Sequence, residues 1–195
     1  MTTPTEPSDE ELMASYVDGD VRAFETLFQR YASRLHGFFT RLTKDGALAD
    51  DLVQTTFLKL HGARQSYDRT RPLRPWIYAI AARARVDVIR QRMRQEGRWD
   101  DELDGVAGGT GDGPERTAEA REGVVQLEVA LQKLPDGQRT VLLLHRIEGL
   151  SFAEIAEVLS ASEGTALTEV AVRVRAFRAV AALRAQMTEH AQVEA

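Results

Sequence analysis

The sequence contains no cysteine. That excludes disulfides and thiolate metal sites, and it fits a cytoplasmic setting. The four histidines, His36, His61, His145 and His190, stand far apart without paired ligand spacing, so no metal and no other cofactor is expected. No stretch approaches the roughly 18 consecutive apolar residues of a spanning helix, and direct membrane binding is not expected. The opening MTTPTEPSDEEL lacks the basic-then-apolar order of a secretory leader. No Gly-rich phosphate loop follows a strand, and no nucleophile stands with an obvious histidine and acid. Ser162-Glu163-Gly164-Thr165 reads as a turn rather than a catalytic elbow. Enzymatic chemistry is therefore not expected.

What is present is ordinary in amount and uneven in placement. The 195 residues are 43% hydrophobic and 28% charged, which suits one compact domain or two small ones. The formal net charge of −5 hides a concentrated basic stretch: residues 69–98 hold nine arginines against Asp87 and Glu96 alone, a net of +7. A segment of that kind attracts a polyanion even on an acidic protein. Residues 99–123, by contrast, carry eight acidic and two basic side chains.

Apolar periodicity gives an all-α chain of two small helical domains. A loose polar tail is expected over 1–8, then a short helix over 9–18. Gly19 ends that helix and Asp20 is placed to cap the next. Phe24, Leu27/Phe28, Tyr31, Leu35, Phe38/Phe39 and Leu42 recur at helical spacing and mark a long amphipathic helix over 21–42. Asp45-Gly46 breaks it, and a further helix runs over 47–65. Residues 66–75, with Pro72 and Pro75, read as a loop. A third long helix follows over 75–94, with Pro75 suited to its first position; the first domain thus spans 9–95. Six of the 14 glycines fall between Gly97 and Gly113 among acidic residues. Such a composition buries too little apolar surface to offset its ordering entropy, so 96–116 reads as a flexible acidic linker. The second domain, 117–187, has helices over 117–133, 138–148, 152–159 and 168–187, and 188–195 is a tail. Ser151 and Glu154 fit a capping box.

Three features carry candidate function. GLSFAEIAEVL, a turn and TEVAVRVRAFRAVAALR have the order of a helix-turn-helix, whose second helix enters the DNA major groove. Thr168, Arg173, Arg175 and Arg178 are the candidate contacts there. Arg173 and Arg175, two residues apart, cannot share one helix face, so one of them is free to pack its stem along the domain; the alternative is an amphipathic helix whose arginines only face solvent. The second feature is the loop and basic helix carrying Arg69, Arg71, Arg74, Arg83, Arg85, Arg90 and Arg92, with Trp76 and Tyr78 interleaved. Rows of cations with aromatics suit a nucleic-acid strand, although core packing is the simpler role for the two rings. The third is Asp50, Asp51 and Gln54, one exposed helix face that would by itself be ordinary solvated surface.

Together these segments resemble one family, the bacterial RNA polymerase sigma factors of the extracytoplasmic-function (ECF) type. DGDVRAFETLFQRYASRLHGFFTRL with ADDLVQTTFLKL resembles the family's polymerase-binding helices. RPLRPWIYAIAARARVDVIRQRMR resembles its −10 element and melting region, and LQKLPDGQRTVLLLHRIEGLSFAEIAEVL with TEVAVRVRAFRAVAALR resembles its −35 domain. The resemblance implies a protein that binds core RNA polymerase, recognises −35 and −10 elements and promotes melting. Asp50, Asp51 and Gln54 would meet the clamp helices of the largest subunit, and the second domain the −35-side flap. The 66–75 loop would capture a flipped base, Arg83, Arg85, Arg90 and Arg92 would track the −10 strand, and the acidic linker would thread toward the active centre. An anti-sigma factor is a further implied partner. The chain has Thr55 where the family usually has Glu, and Ala82-Arg83 where Arg-Asn is common. Its connection from Leu159 to Thr168 is longer than the family's, which makes 160–167 either an inserted loop, the preferred reading, or a lengthened recognition helix capped by Ser162. Two rivals remain: a stand-alone helix-turn-helix regulator, and a helical interaction protein that binds no DNA. The first leaves the loop-plus-basic-helix pattern of residues 1–94 unexplained.

Overall fold

The computed structural model describes residues 6–95 and 118–193. The expected linker over 96–116 lies outside the described residues. Helices α1 (Asp9–Val17), α2 (Val21–Thr43), α3 (Gly46–Ala63) and α4 (Leu73–Gln95) form a first module, with a 3₁₀ turn at Arg64–Ser66. Helices α5 (Ala118–Gln132), α6 (Asp136–Leu142), α7 (Phe152–Glu163) and α8 (Glu169–Val193) form a second, with a π turn at Leu143–Ile147. Among the described residues there is no strand, and no helix is long and apolar enough to cross a membrane.

Local chemistry starts each element. Ser8 and Glu11 make a reciprocal capping box at α1, so residue 8 belongs to the fold rather than to a tail. Asp20 accepts from the Arg22 amide (2.9 Å) at α2. Helix α2 stops one residue before the Asp-Gly pair, at Lys44, which adopts the left-handed conformation (φ 57°). Asp45 instead opens α3 by accepting from Leu48 N (3.0 Å). Helix α4 begins at Leu73, so Pro75 is third in the first turn, where a missing N–H costs nothing.

The second module departs more from expectation. Helix α6 starts directly after Pro135 and passes into the π turn. Residues 160–167 are neither an inserted loop nor an extension of the recognition helix, because α7 continues to Glu163. Nothing interrupts it before Gly164, whose φ of 70° makes the left-handed C-cap. Ser162 lies inside α7 and donates to Leu159 O (3.1 Å). The connection to α8 is therefore only 164–168, and Ser160 Oγ folds it back by accepting from Leu167 N (2.8 Å). Helix α8 runs on to Val193.

Leu27, Tyr31, Leu35, Phe38 and Phe39 of α2 meet Leu48, Leu52, Phe57 and Leu60 of α3 and Ile77, Tyr78 and Ala81 of α4 in the core. Phe28, expected in that stripe, is 42% exposed. Tyr78 is fully buried, edge-on to Phe38 with centroids 5.3 Å apart. Helix α4 also lies along α7, and one continuous apolar cluster joins Ala81 and Ala82 to Leu144, Ile155 and Leu159. The two modules thus pack against each other.

Asp9 ties α1 to α2. Its carboxylate accepts from Arg30 Nη1 (2.8 Å) and from the Tyr31 hydroxyl (2.5 Å). Burial alone would raise its pKa, but the Tyr31 and Arg30 hydrogen bonds outweigh burial and hold it below the ordinary 3.8. A carboxylate so lowered stabilises the fold above its unfolded value, and the contribution disappears as pH falls through the folded value. Asp9→Asn is expected to cost about 1.5–3 kcal/mol at pH 7. Urea midpoints of variant and wild type should converge as pH is lowered toward 3 and below. An offset that does not change with pH would contradict this account.

Candidate nucleic-acid interface

Asp50, Asp51 and Gln54 stand exposed on α3, facing away from the Leu52–Phe57–Leu60 core stripe. Asp50 and Gln54, though not Asp51, line a groove of about 480 Å³ together with Phe28, Ala32, His36 and Val53. His36 Nε2 lies 3.4 Å from Asp50 Oδ1. Leu58, 72% exposed, extends the same surface by one turn. An apolar floor with a polar, acidic rim is the make-up of a protein-docking surface. Phe28 was expected in the core stripe and Leu58 was not singled out; both are exposed on this face. Thr55 is half-buried at the edge of this face.

The loop before α4 is pinned rather than loose. Arg69 makes a bidentate contact with Asp18 (2.5 and 3.1 Å). Asp68 accepts from the Thr70 amide and hydroxyl (2.9 and 2.7 Å), and these bonds hold its carboxyl below the usual range. The Tyr67 hydroxyl donates to Arg71 O (2.5 Å), and burial followed by the Glu10 charge pushes its phenol up to about 12. Leu73 N donates to Glu10 (3.0 Å). Trp76 is half-buried against Tyr67, with centroids 5.1 Å apart.

The arginines of this segment fall into three groups. Arg83 and Arg90 are exposed, with no ion pair among the described residues. Arg69 and Arg92 pair within the first module, Arg92 with Asp45 at 3.7 Å. Arg71, Arg74 and Arg85 reach the second module: Arg71 meets Glu157, Arg74 donates to Glu148 O (3.3 Å), and Arg85 clasps Asp136 at 2.9 and 2.5 Å. Arg85, at 6% exposure, is buried in this conformation. Ala82 is buried beside Arg83.

In the second module α7 and α8 form the helix-turn-helix. Thr168 caps α8, accepting from Ala171 N (3.2 Å). Val172, Ala176 and Ala179 face the core. Arg175 turns back to Glu163 (2.9 Å), and its guanidinium would lie 3.2 Å from a Cβ at Gly137, so its stem packs across the module. Arg173 projects outward, pairs with Glu169 and sits over the Phe152 ring at 5.6 Å. Arg178 is exposed. Between Arg173 and Arg178, directly opposite the core face, lies an apolar stripe of Val170 (70% exposed), Val174 (43%) and Phe177 (76%). The sequence reading attended to charge and missed this stripe; its signal is the i, i+4, i+7 spacing opposite the buried residues.

Two family models match these modules separately: Sigma-70 region 2 over residues 27–95 and Sigma-70, region 4 over residues 125–183. The RNA polymerase sigma factor CarQ of Myxococcus xanthus is 33% identical, with 91% of this chain and 96% of that protein covered. The ECF RNA polymerase sigma factor SigM of Mycobacterium tuberculosis (strain ATCC 25618 / H37Rv) is 30% identical, covering 88% of this chain and 83% of that protein. The chain belongs to the ECF RNA polymerase sigma factors. Among solved structures, CnrH in complex with the cytosolic domain of CnrY is similar at 28% identity and a TM-score of 0.65, covering 94% of this chain and 99% of that one. Sigma factors bind RNA polymerase and promoters, and they regulate transcription rather than catalyse a reaction.

Proposed function

We propose that this sigma factor docks on core RNA polymerase through the α3 face, reads the −10 element with its first module, 9–95, reads the −35 element with its second, 117–187, and promotes strand opening between them. Asp50, Asp51 and Gln54 meet the clamp helices of the largest subunit, and the second module meets the flap. Arg69, Arg71, Arg74, Arg83, Arg85, Arg90 and Arg92 serve the −10 strand, and Thr168, Arg173, Arg175 and Arg178 the −35 duplex, Arg175 by holding α8 in place. The protein acts in the cytoplasm without chemistry of its own. CnrH is seen with the cytosolic domain of CnrY, and a regulatory partner of that kind, an anti-sigma factor, is proposed for this chain.

The observation that supports this reading best is the outward face of α8. Apolar side chains on a recognition helix contact thymine methyl groups, and flanking arginines hold guanine edges or phosphates. Val170, Val174 and Phe177 between Arg173 and Arg178 have that composition. Transcription reconstituted with core polymerase should start at a small set of promoters sharing one −35 sequence. Phe177→Ala should weaken holoenzyme binding to that sequence about 5- to 100-fold, the range of one specific base contact. Replacing −35 thymine by uracil, which deletes only the methyl group, should weaken the wild type more than the variant. Equal losses would place Phe177 outside the base contacts, and no promoter-specific transcription at all would overturn the function.

A further inference from the structure

His145 and Phe152 lie outside the −10 segment and outside α8, yet they lead to Arg173. The π turn at Leu143–Ile147 closes through a bond from Glu148 N to Leu143 O, five residues back (3.1 Å). Such wide turns are rare and occur frequently at functional sites. The imidazole of His145, within this turn, stacks on Phe152 with ring centroids 4.2 Å apart and planes at 27°. Its Nδ1 lies 2.8 Å from Leu150 O, which can only accept, so the proton is assigned to Nδ1 and the ring is fixed in rotation. Leu150 is held in turn by the bond from its amide to Leu144 O (3.0 Å). Phe152 opens α7 directly after the Ser151 cap. It is half-buried against the core, and the guanidinium carbon of Arg173 lies 5.6 Å from its ring centroid. Glu169, one turn before Arg173 on α8, takes Nη2. The π turn, α7 and α8 thus each contribute to one set of contacts that ends on an exposed arginine.

We propose that Phe152 is a positioning residue for Arg173, with His145 fixing Phe152 in turn, and that together they make Arg173 a reader of one −35 base pair rather than a phosphate contact. The proposal rests on the DNA-binding reading of α8. An arginine loose in solvent samples many rotamers, and ordering them on binding opposes affinity. A base edge demands the planar fork in one orientation, whereas a phosphate contact carries no sequence information. An aromatic face beside the guanidinium sets its plane by stacking and cation–π attraction, and Glu169 anchors one side of the fork. Both constraints act before DNA arrives, so part of the ordering is already done in the free protein. His145 acts through Phe152: its own ring is held by a backbone carbonyl, and it keeps the phenyl ring from rotating away. Core packing explains a bulky apolar residue at 152, and leucine would serve that purpose. Only an aromatic ring offers a face to an imidazole and a guanidinium together.

The test uses holoenzyme reconstituted with core polymerase and a set of promoter duplexes, each changed at one −35 base pair. The fold loss of affinity on each change measures discrimination at that pair. Arg173→Ala identifies the pair that Arg173 reads, as the one where discrimination collapses. Phe152→Leu keeps the apolar bulk and removes the aromatic face. It should cut discrimination at that same pair about 3- to 30-fold, the span from an exposed to a desolvated cation–π contact, and leave the other pairs within about twofold. Phe152→Tyr should restore it. His145→Leu should act at the same pair more weakly, and Phe152→Leu should add nothing in the Arg173→Ala background. The slope of affinity against salt should stay at its wild-type value in Phe152→Leu, because no phosphate contact is removed. Uniform weakening at every pair would reduce Phe152 to a structural role and overturn the proposal. So would an Arg173→Ala variant that discriminates like the wild type but has a shallower salt slope, since Arg173 would then hold only a phosphate. If Phe152→Leu loses helix content, His145→Leu decides alone: a loss confined to the Arg173 pair supports the positioning role, and unchanged discrimination there overturns it. A wild-type holoenzyme that prefers no −35 sequence overturns the DNA-binding reading of α8 together with the proposal, whereas the preceding outcomes overturn the proposal alone.

Discussion

Asp51→Arg combined with Gln54→Ala is expected to abolish stoichiometric co-elution with core RNA polymerase, weakening binding about 30-fold or more, the range of a hot-spot loss. The expectation follows from the make-up of the α3 surface. Its apolar floor of Phe28, Ala32 and Val53 is small, so orientation must come from the rim. Asp50 is shared with His36 at 3.4 Å, which leaves Gln54 on the rim and Asp51, exposed on the same helix, as groups without a partner among the described residues. Reversing the charge at Asp51 places a cation against whatever basic group the carboxylate meets, a loss larger than truncation alone. Both residues are exposed and neither fills the core, so stability should change by no more than about 0.5 kcal/mol. Unfolding curves that superimpose on the wild type, together with lost co-elution, identify the docking face. Co-elution retained by the variant would move that face elsewhere on the chain. A wild type that fails to co-elute would favour a stand-alone DNA-binding regulator.

The helices and their caps were legible because their signals are local. Asp20 and the Ser151–Glu154 capping box act where the sequence places them, and the stripe from Leu27 to Leu42 is buried as its spacing requires. The misread connection at 160–167 has an equally local cause. Gly164 is the residue that stops α7, and nothing before it prevents helix continuation; the polar composition of 160–167 suggests a connection, but polar residues on an exposed helix face do not end a helix. Phe28, Leu58 and Phe177 were illegible for a different reason. Periodicity says which residues share a face, but not which faces the rest of the fold covers.

The arginines mark the sharpest limit. Arg83, Arg85, Arg90 and Arg92 read alike in sequence, yet Arg85 is buried on Asp136 while Arg83 and Arg90 are exposed. Where such an arginine pairs, its partner is distant in sequence, as Arg85 and Asp136 are at a separation of 51 and Arg71 and Glu157 at 86. No local pattern encodes such pairs. Charge blocks identify the segment that seeks an anion; only the fold shows that the same chain offers one.

Arg139 is the residue whose removal should cost the fold most, and nothing in its sequence context distinguishes it from a surface arginine. It is 8% exposed. Its Nε donates to Leu131 O (3.0 Å), Nη2 to Gln132 O and Leu134 O (3.0 and 2.8 Å), and Nη1 crosses to Leu42 O (3.1 Å). The last carbonyls of a helix lack the amides of a next turn; in α5 Leu134 N reaches Leu131 O (3.2 Å), and Arg139 supplies the side-chain donors. One guanidinium therefore closes the C-terminus of α5, favours its dipole and reaches the end of α2. Arg139→Leu keeps the apolar stem and leaves buried acceptors without this donor. The cost is expected to be about 3–5 kcal/mol, the range of a broken buried network. At about 2–4 °C per kcal/mol for a chain of this size, the midpoint of thermal unfolding should fall by about 10 °C. Arg139→Lys restores charge but not the planar fork, and should recover only part of the loss. Full recovery by Lys would reduce the role to electrostatics, and a drop of less than about 1 kcal/mol in Arg139→Leu would show that other donors reach these carbonyls.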